Sequence, residues 1–310
     1  MNRKQRDLRI AAIAERVRST YADGIGVNDH TGMSLPSRSE VIAVTEKLLT
    51  VLFPGFDRPE NCDPMAEMTA IHASLSSQIR RAMRYKNSGR VRNCCKSASS
   101  CFCDDAALKL LEKIPEIREV VKLDIAAAYN GDPAATSYEE VVLSYPGLKA
   151  IAIQRFAHVL YILKVPLIPR MMTEYAHSVT GIDIHPGAQL GKGVFIDHGT
   201  GVVIGETAVL GDNVRIYQGV TLGAGNFPKD ACGMLIKGLK RHPTIGSNVT
   251  IYSGASVLGD ISIGDNSVIG GNVWLTESLP AGTKITAFPP ETRQKPVGPA
   301  QPALPKSRKK

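Results

Sequence analysis

Residues 184–222 read IHPGAQLGKGVFIDHGTGVVIGETAVLGDNVRIYQGVTL and residues 245–275 read IGSNVTIYSGASVLGDISIGDNSVIGGNVWL. In both, a branched aliphatic residue returns at every sixth position with one exception: Ile184, Leu190, Ile196, then Ile204, Leu210, Ile216, Leu222, and after a gap Ile245, Ile251, Val257, Ile263, Ile269, Leu275. This period fits neither a helix, at about 3.6 residues per turn, nor the simple alternation of a strand. Each hexad is therefore one flat side of a coil with three sides to a turn, and the chain winds a triangular parallel β-helix with the aliphatic residues stacked inside. Gly187, Gly191, Gly205, Gly211, Gly246, Gly264 and Gly270 are expected at tight corners, which residues with a Cβ resist. The pattern is expected to stop at Leu275.

Two breaks in the register stand out. Between Ile196 and Ile204 the spacing is eight, with the extra residues in Asp197-His198-Gly199-Thr200-Gly201. Between Leu222 and Ile245 a long insertion leaves the coil and ends in Lys240-Arg241-His242-Pro243. A strictly repeating core tolerates interruptions only as surface loops, and loops on a rigid scaffold are where binding and catalysis concentrate. Each interruption holds a histidine.

Upstream of the coil the apolar spacing is helical. Ile10, Ile13, Val17 and Tyr21 form one stripe, broken at Gly24 and Gly26. Ser37 with Glu40 resembles a capping box ahead of Val41, Val44, Leu48 and Val51, stopped by Pro54-Gly55. Asp63 before Pro64 is an N-cap with proline at the first helical position, opening a helix to about Tyr85. The Ser-, Cys- and Lys-rich residues 86–103 read as a connection. Helix returns over 104–128 and ends at Asn130-Gly131-Asp132-Pro133. A further helix follows Pro146-Gly147, with Leu148, Ala152, Phe156, Val159 and Leu163 on one face, ending near Pro166 and Pro169. A short one over 171–178 leads into the coil. The expectation is an α+β multidomain chain: an all-helical domain (1–178), the β-helix (179–285) and a disordered, basic, Pro-rich tail (286–310).

At 310 residues the chain can bury two modest cores, and 43% hydrophobic content marks it as globular. The net charge of +8 sits in the termini, since residues 1–9 carry +3 and residues 287–310 carry +5. The body is near neutral, which argues against a nucleic-acid face. No secretory signal is legible, and the most apolar stretch, 150–168, is interrupted by Arg155, His158 and Lys164, so no membrane span is expected. The reading is cytoplasmic. Cys94, Cys95, Cys101 and Cys103 crowd one segment while Cys62 and Cys232 stand apart; their spacings do not match paired zinc ligands, and reduced thiols in a surface connection are expected.

Asp183, Asp197, His198, Arg241 and His242 can be considered together. Histidine is the side chain best placed to take a proton near neutral pH, and a carboxylate on its far nitrogen fixes the tautomer. Asp183 precedes His198 by fifteen residues, a little under one turn of about eighteen, which allows it to lie beside His198 on the adjacent coil. Arg241 and His242 could supply a cation for a substrate carboxylate and a second proton carrier. A purely structural alternative has His198 packed in a corner and Arg241 solvated.

Three runs carry a resemblance: Gly181-Ile182-Asp183-Ile184-His185-Pro186-Gly187-Ala188; Ile196-Asp197-His198-Gly199-Thr200-Gly201 with Gly205-Glu206-Thr207; and Gln218-Gly219-Val220-Thr221-Leu222-Gly223, followed by Arg241-His242-Pro243. With Gly131-Asp132-Pro133-Ala134 upstream, they resemble serine O-acetyltransferase, a hexapeptide-repeat acyltransferase with a left-handed β-helix, in a long-form branch. The resemblance spans residues 123–286. It implies transfer of acetyl from acetyl-CoA to the hydroxyl of L-serine, the committed step toward cysteine, without a covalent acyl-enzyme. By matched position His198 is the general base and Asp183 its partner. Asp132, Asp197, His198, Arg241 and His242 hold serine, or cysteine as a competing inhibitor, and His242 is counted with the catalytic set. Ala224, Gly254 and Gly271 match positions lining a CoA channel. Acetyl-CoA is a co-substrate, and no metal or resident cofactor is implied.

The inserted loop, 226–240, is longer than in the best-known bacterial members of that family. There, an apolar C-terminal residue enters cysteine synthase; here the chain ends in Lys306-Ser307-Arg308-Lys309-Lys310, so no tight complex with cysteine synthase is expected. The flat sides of a β-helix pack as a three-fold ring, and the long loop can reach a neighbour's Asp197-His198, so a homotrimer or a dimer of trimers is expected. The competing readings are another hexapeptide-repeat acyltransferase, a γ-type zinc carbonic anhydrase using His185, His198 and His242, and a catalytically silent scaffold.

Overall fold

The computed structural model describes residues 1–23, 35–56, 63–86 and 102–288. Gly24, Gly26, Cys62, Cys94, Cys95, Cys101 and nearly all of the C-terminal tail lie outside them. The helical region comprises α1 (Arg3–Ser19) with a 3₁₀ turn (Thr20–Asp23), α2 (Arg38–Leu52), α3 (Pro64–Lys86), α4 (Phe102–Gly131), α5 (Tyr138–Ser144), α6 (Pro146–Ile162) and α7 (Ile168–Thr180).

Helix starts follow the expected caps. Asp63 Oδ1 accepts the Met65 N–H at 3.0 Å, ahead of Pro64. Ser37 Oγ accepts the Glu40 N–H at 3.4 Å, but the reciprocal half of the capping box comes from elsewhere, because the Ser37 N–H donates to Gln78 Oε1 of α3 at 2.9 Å. Other expectations need correction. Ile10, Ile13, Val17 and Tyr21 are all exposed, so the stripe is helical but joins neither core of the described residues. Cys103 is fully buried inside α4 and is not part of a surface connection. Helix α5 was hidden by its seven-residue length and is opened by Ser137, whose Oγ accepts the Glu140 N–H. Pro169 does not end a helix but opens α7 from its first turn, as a residue lacking an N–H can.

Helix α6 has two working faces. Ala152, Ile153, Phe156, Ala157 and Leu160 join the helical core with Leu48, Ile71, Leu110 and Met172. Ala150 and Ile151 join the core of the coil instead. Polar groups complete the seam: Gln154 Nε2 donates to the Ala188 carbonyl at 2.7 Å, and Arg155 makes paired hydrogen bonds to the buried Asp124 of α4 at 2.9 and 3.0 Å. Arg155 also donates to the Gly191 carbonyl at 2.8 Å. The carboxylate satisfies the cation in a place where either alone would be costly.

The coil is a left-handed parallel β-helix of three sides. The first stacks β1 (Asp183–Ile184), β4 (Val203–Ile204), β7 (Thr221–Gly223), β10 (Ser256–Leu258) and β13 (Trp274–Leu275). The second stacks β2 (Gln189–Leu190), β5 (Val209–Leu210), β8 (Thr244–Ile245) and β11 (Ser262–Ile263). The third stacks β3 (Phe195–Ile196), β6 (Arg215–Ile216), β9 (Thr250–Ile251), β12 (Val268–Ile269) and β14 (Lys284–Ile285). The hexad residues fall in register, Ile184 on Ile204 on Leu222 on Val257 on Leu275. The coil also outlasts the hexad pattern: Leu279 bridges Ile263, and Ile285 pairs with Ile269.

The seven glycines expected at corners have another task. None of them has positive φ; the left-handed positions include Asn213, Asn248, Asn266 and Asn272, at φ 56–58°. Asparagine tolerates this region because its short side chain bonds locally. The glycines stand where successive coils touch: a Cβ on Gly191 would lie 2.3 Å from the Gly211 carbonyl oxygen.

Candidate active site

The eight-residue interval makes the corner between β3 and β4. His198 takes φ 56° and Gly199 φ 84°, and the Gly201 N–H donates to the Gly181 carbonyl at 2.8 Å. This wide turn lifts the His198 side chain into solvent at 71% exposure, while Asp197 beside it is only 13% exposed and lies 3.7 Å from His198 Nδ1. The start of α6 rests directly on this corner. A Cβ on Gly147 would stand 2.2 Å from the Ile196 carbonyl oxygen, so only glycine lets the helix approach. That contact brings Asp132, in the loop after α4, to the same place. Asp132 Oδ1 accepts the Ala134 N–H at 2.8 Å and Oδ2 accepts the Tyr145 hydroxyl at 2.5 Å. The Tyr145 hydrogen bond, with that of Ala134, holds the Asp132 carboxyl below its ordinary range. The same bond pushes the Tyr145 phenol up to about 12.

A second group occupies the corner between β4 and β5, where the 226–240 loop returns. Arg241 Nη2 donates to Glu206 Oε2 at 2.5 Å, and Glu206 Oε1 accepts the Tyr161 hydroxyl at 2.8 Å. His242 is 7% exposed. Its Nδ1 accepts the Thr207 N–H at 3.1 Å and lies 2.8 Å from the Thr207 hydroxyl. That hydroxyl in turn accepts the N–H groups of Arg241 and His242 at 3.0 and 3.1 Å. An Nδ1 that accepts must carry its proton on Nε2, so the imidazole is a fixed neutral donor. Burial, then the Arg241 charge, pushes its pKa down to about 4. Near neutral pH this leaves His242 uncharged, with its Nε2–H available to donate. Gly205 makes room for it: a Cβ there would lie 2.0 Å from His242 Cδ2.

The structure thus gathers Asp132, Asp197 and His198 at one edge of the first side, and Arg241 and His242 at the other. Among the described residues no hydrogen bond or ion pair joins the two groups. Asp183 is not bonded to His198 in the single chain; its carboxylate lies 3.8 Å from Arg170 Nη2, which also pairs with Glu174. Glu174, His177 and Asp183 offer three close ligand atoms, but Arg170 already supplies their positive charge. His185, His198 and His242 do not form a metal triad within one chain, because His198 stands on a different corner. Of the three positions matched to a CoA channel, Gly254 and Gly271 lie at the corner leading into the first side and Ala224 at the corner leading out of it. Sequence reasoning assigned no role to Tyr145, Gly147, Glu206 or Thr207. Glu206 and Thr207 were visible in a motif; Tyr145 had no local signal beyond an N-cap position without a capping side chain.

Two parts of the chain match known protein families. Residues 64–153 match the N-terminal region of serine acetyltransferase, and residues 242–277 match the bacterial transferase hexapeptide family of six repeats. A plasmid-borne serine acetyltransferase of Synechococcus elongatus is 46% identical over 264 residues, covering 81% of this chain and 82% of its own. Among solved structures, serine acetyltransferase isoform 3 of Entamoeba histolytica in complex with cysteine is 37% identical with a TM-score of 0.67, over 90% of this chain and 92% of that one. Serine acetyltransferase of Brucella abortus in complex with coenzyme A is 29% identical with a TM-score of 0.54, over 83% and 94%. With a helical region and a hexapeptide coil that both match, and a relative nearly half identical over four fifths of its length, the chain belongs to the serine acetyltransferase family.

Proposed function

We propose that this acyltransferase, which moves acetyl from acetyl-CoA to the hydroxyl of L-serine in cysteine biosynthesis, completes its site between two neighbouring chains. The observation that carries this is the separation of the two groups on opposite edges of one side of the coil. One edge offers a base and carboxylates, the other a cation and a neutral donor, and an amino acid needs both kinds of partner. A three-fold ring of coils sets one chain's leaving edge against the next chain's entering edge. The projecting loop, with Phe227, Met234 and Leu235 exposed, supports the same reading.

In this mechanism Asp132 and Asp197 receive the serine ammonium, and Arg241 of the neighbour exchanges part of its Glu206 pairing for the carboxylate. His198 takes the hydroxyl proton as the oxygen attacks the thioester carbon. The C–O bond forms, the C–S bond breaks, and His198 returns the proton to the departing thiolate. Asp183 is the proposed orienter of His198, whose exposed ring is free to turn toward it once the neighbour is seated. The neutral His242 Nε2–H is a donor to the bound substrate. The pantetheine chain of acetyl-CoA lies along Gly254 and Gly271 of one chain and Ala224 of the next, with acetyl-CoA as co-substrate and no resident cofactor. Cysteine, differing from serine only in sulfur for oxygen, competes for the same contacts; the cysteine complex of the Entamoeba relative supports this. No described helix is long and apolar enough to cross a membrane, and a cytoplasmic setting completes the reading.

The test is complementation. His198→Ala and Arg241→Ala chains are each expected to lose serine acetylation, and co-expressed chains should regain about a quarter of parent activity, the share of randomly assembled sites that draw both intact halves. No recovery in verified mixed oligomers places the site within one chain and overturns the proposal.

A further inference from the structure

The carboxylate of Asp132 stands at a point where two separate parts of the fold meet, and one side chain there has no place in the mechanism above. Tyr145 is the N-cap residue of α6, yet its side chain makes no capping bond. Its hydroxyl instead reaches across to Asp132 Oδ2 at 2.5 Å. The other Asp132 oxygen is taken by the Ala134 N–H at 2.8 Å. The loop between them is tied down independently: the N–H and hydroxyl of Thr136 both donate to Glu140 Oε2, at 2.6 and 2.5 Å. The Tyr145 ring is partly buried against the helical core. The two residues after it press the helix onto Ile196, through Gly147. Tyr145 therefore joins a rigid helix start, already seated on the catalytic corner, to a carboxylate carried on a loop.

We propose that Tyr145 is a positioning residue for the amino-acid substrate, acting through Asp132: its hydroxyl fixes the rotamer and the ionised state in which Asp132 receives the substrate ammonium. This rests on the assignment of Asp132 to serine binding made above. A phenol donating to a carboxylate keeps one lone pair of that oxygen engaged and leaves others to accept, on a carboxylate close enough to His198 to feel its charge. The unusually high phenol pKa agrees with a proton held between the pair and not released to solvent. Because the bond is to a carboxylate at the substrate's amine and not to the reacting oxygen, it acts on ground state and transition state alike. Its loss raises KM more than it lowers kcat. Serine and cysteine share the ammonium group, so both depend on it; acetyl-CoA does not.

The experiment is a cycle of Tyr145→Phe, Asp132→Asn and the double variant. KM for serine, KM for acetyl-CoA, kcat and the inhibition constant for cysteine are measured on the assembled enzyme, with circular dichroism as the check on folding. Tyr145→Phe is expected to raise the serine KM and the cysteine inhibition constant together by about 10-fold, the range of a hydrogen bond to a charged group, with acetyl-CoA KM unchanged. In the Asp132→Asn background the second substitution should add almost nothing, as for two residues acting as one. An unchanged serine KM in Tyr145→Phe, an equal rise for acetyl-CoA, or full additivity with Asp132→Asn overturns the proposal while leaving Asp132 as a ligand. If Asp132→Asn itself leaves serine and cysteine binding intact, the assignment of Asp132 falls and the role of Tyr145 falls with it.

Discussion

Replacing Gly205 by alanine adds one carbon, and the structure sets what that carbon must do. It would lie 2.0 Å from Cδ2, 2.1 Å from Nε2 and 2.8 Å from Cε1 of His242, where ordinary contact begins at 3.4 Å. The imidazole has to retreat by about 1.4 Å, the shortfall at its nearest atom. It is not free to do so: the ring is buried and Nδ1 is held by Thr207 from two directions. A retreat of that size breaks both bonds and leaves a buried acceptor unpaired, at about 1–3 kcal/mol. It also moves Nε2–H away from the substrate, and a misplacement of about 1 Å in a contact group is worth about 10²-fold in rate. The expectation is therefore a fall of about 10²-fold in kcat/KM for serine. The thermal midpoint should drop by only a few degrees, since about 1–3 kcal/mol spread over a chain of this size moves it little. Release of the CoA thiol is followed at varied serine, with acetyl-CoA saturating, beside a melting curve. A Gly205→Ala enzyme within about twofold of the parent in kcat/KM would refute the reasoning, because it would mean that the ring is absent from the site or is not confined there.

Two further outcomes follow from the same geometry. His198→Ala should lower kcat on the order of 10²-fold or more, the range for lost general-base help. Its melting curve should match the parent's, because a ring 71% exposed contributes little packing; near parental turnover in a CoA-release assay would sink the assignment. The pH dependence of stability should carry the mark of His242. Its folded pKa of about 4 lies below the ordinary 6.5, so the unfolded chain binds the proton more readily. The stabilising preference for the neutral ring is complete above pH 6.5 and is lost as pH falls from 6.5 toward 4, by up to about 3 kcal/mol. His242→Gln lacks this loss, so urea midpoints of parent and variant should converge over that interval; a constant gap would show that the ring is not held neutral.

Much of the fold was legible because its cause is periodic. A hexad of aliphatic residues admits one stacking, and the residues at Ile184, Ile204, Leu222, Val257 and Leu275 found one another in that register. The ends and corners were not. Ile285 joins the third side across a stretch where the six-residue spacing has failed, because a strand already in place templates the next through backbone hydrogen bonds that any residue but proline can make. The glycines were visible, but their task was not: whether a missing Cβ serves a turn or a close approach depends on what lies opposite, and only the stacked coils supply that.

For the site, the sequence alone nominated the candidates, since Asp132, Asp183, Asp197, His198, Arg241 and His242 stand at interruptions or in the motifs that carry the resemblance. The surroundings of each were decided by the tertiary structure. His242 has a protonatable ring in the sequence, but Thr207 and burial make it a neutral donor, because the state of a proton depends on the partners and solvent around it. Asp183 and His198 have the spacing of a pair, yet in the single chain Asp183 faces Arg170. Tyr145 and Asp132 lie thirteen residues apart with a helix between them, and only the packing of α6 on the coil, through Gly147, brings them to one corner. Spacing along the chain counts residues, whereas a site is made by side chains converging in space, and that convergence belongs to the packed structure.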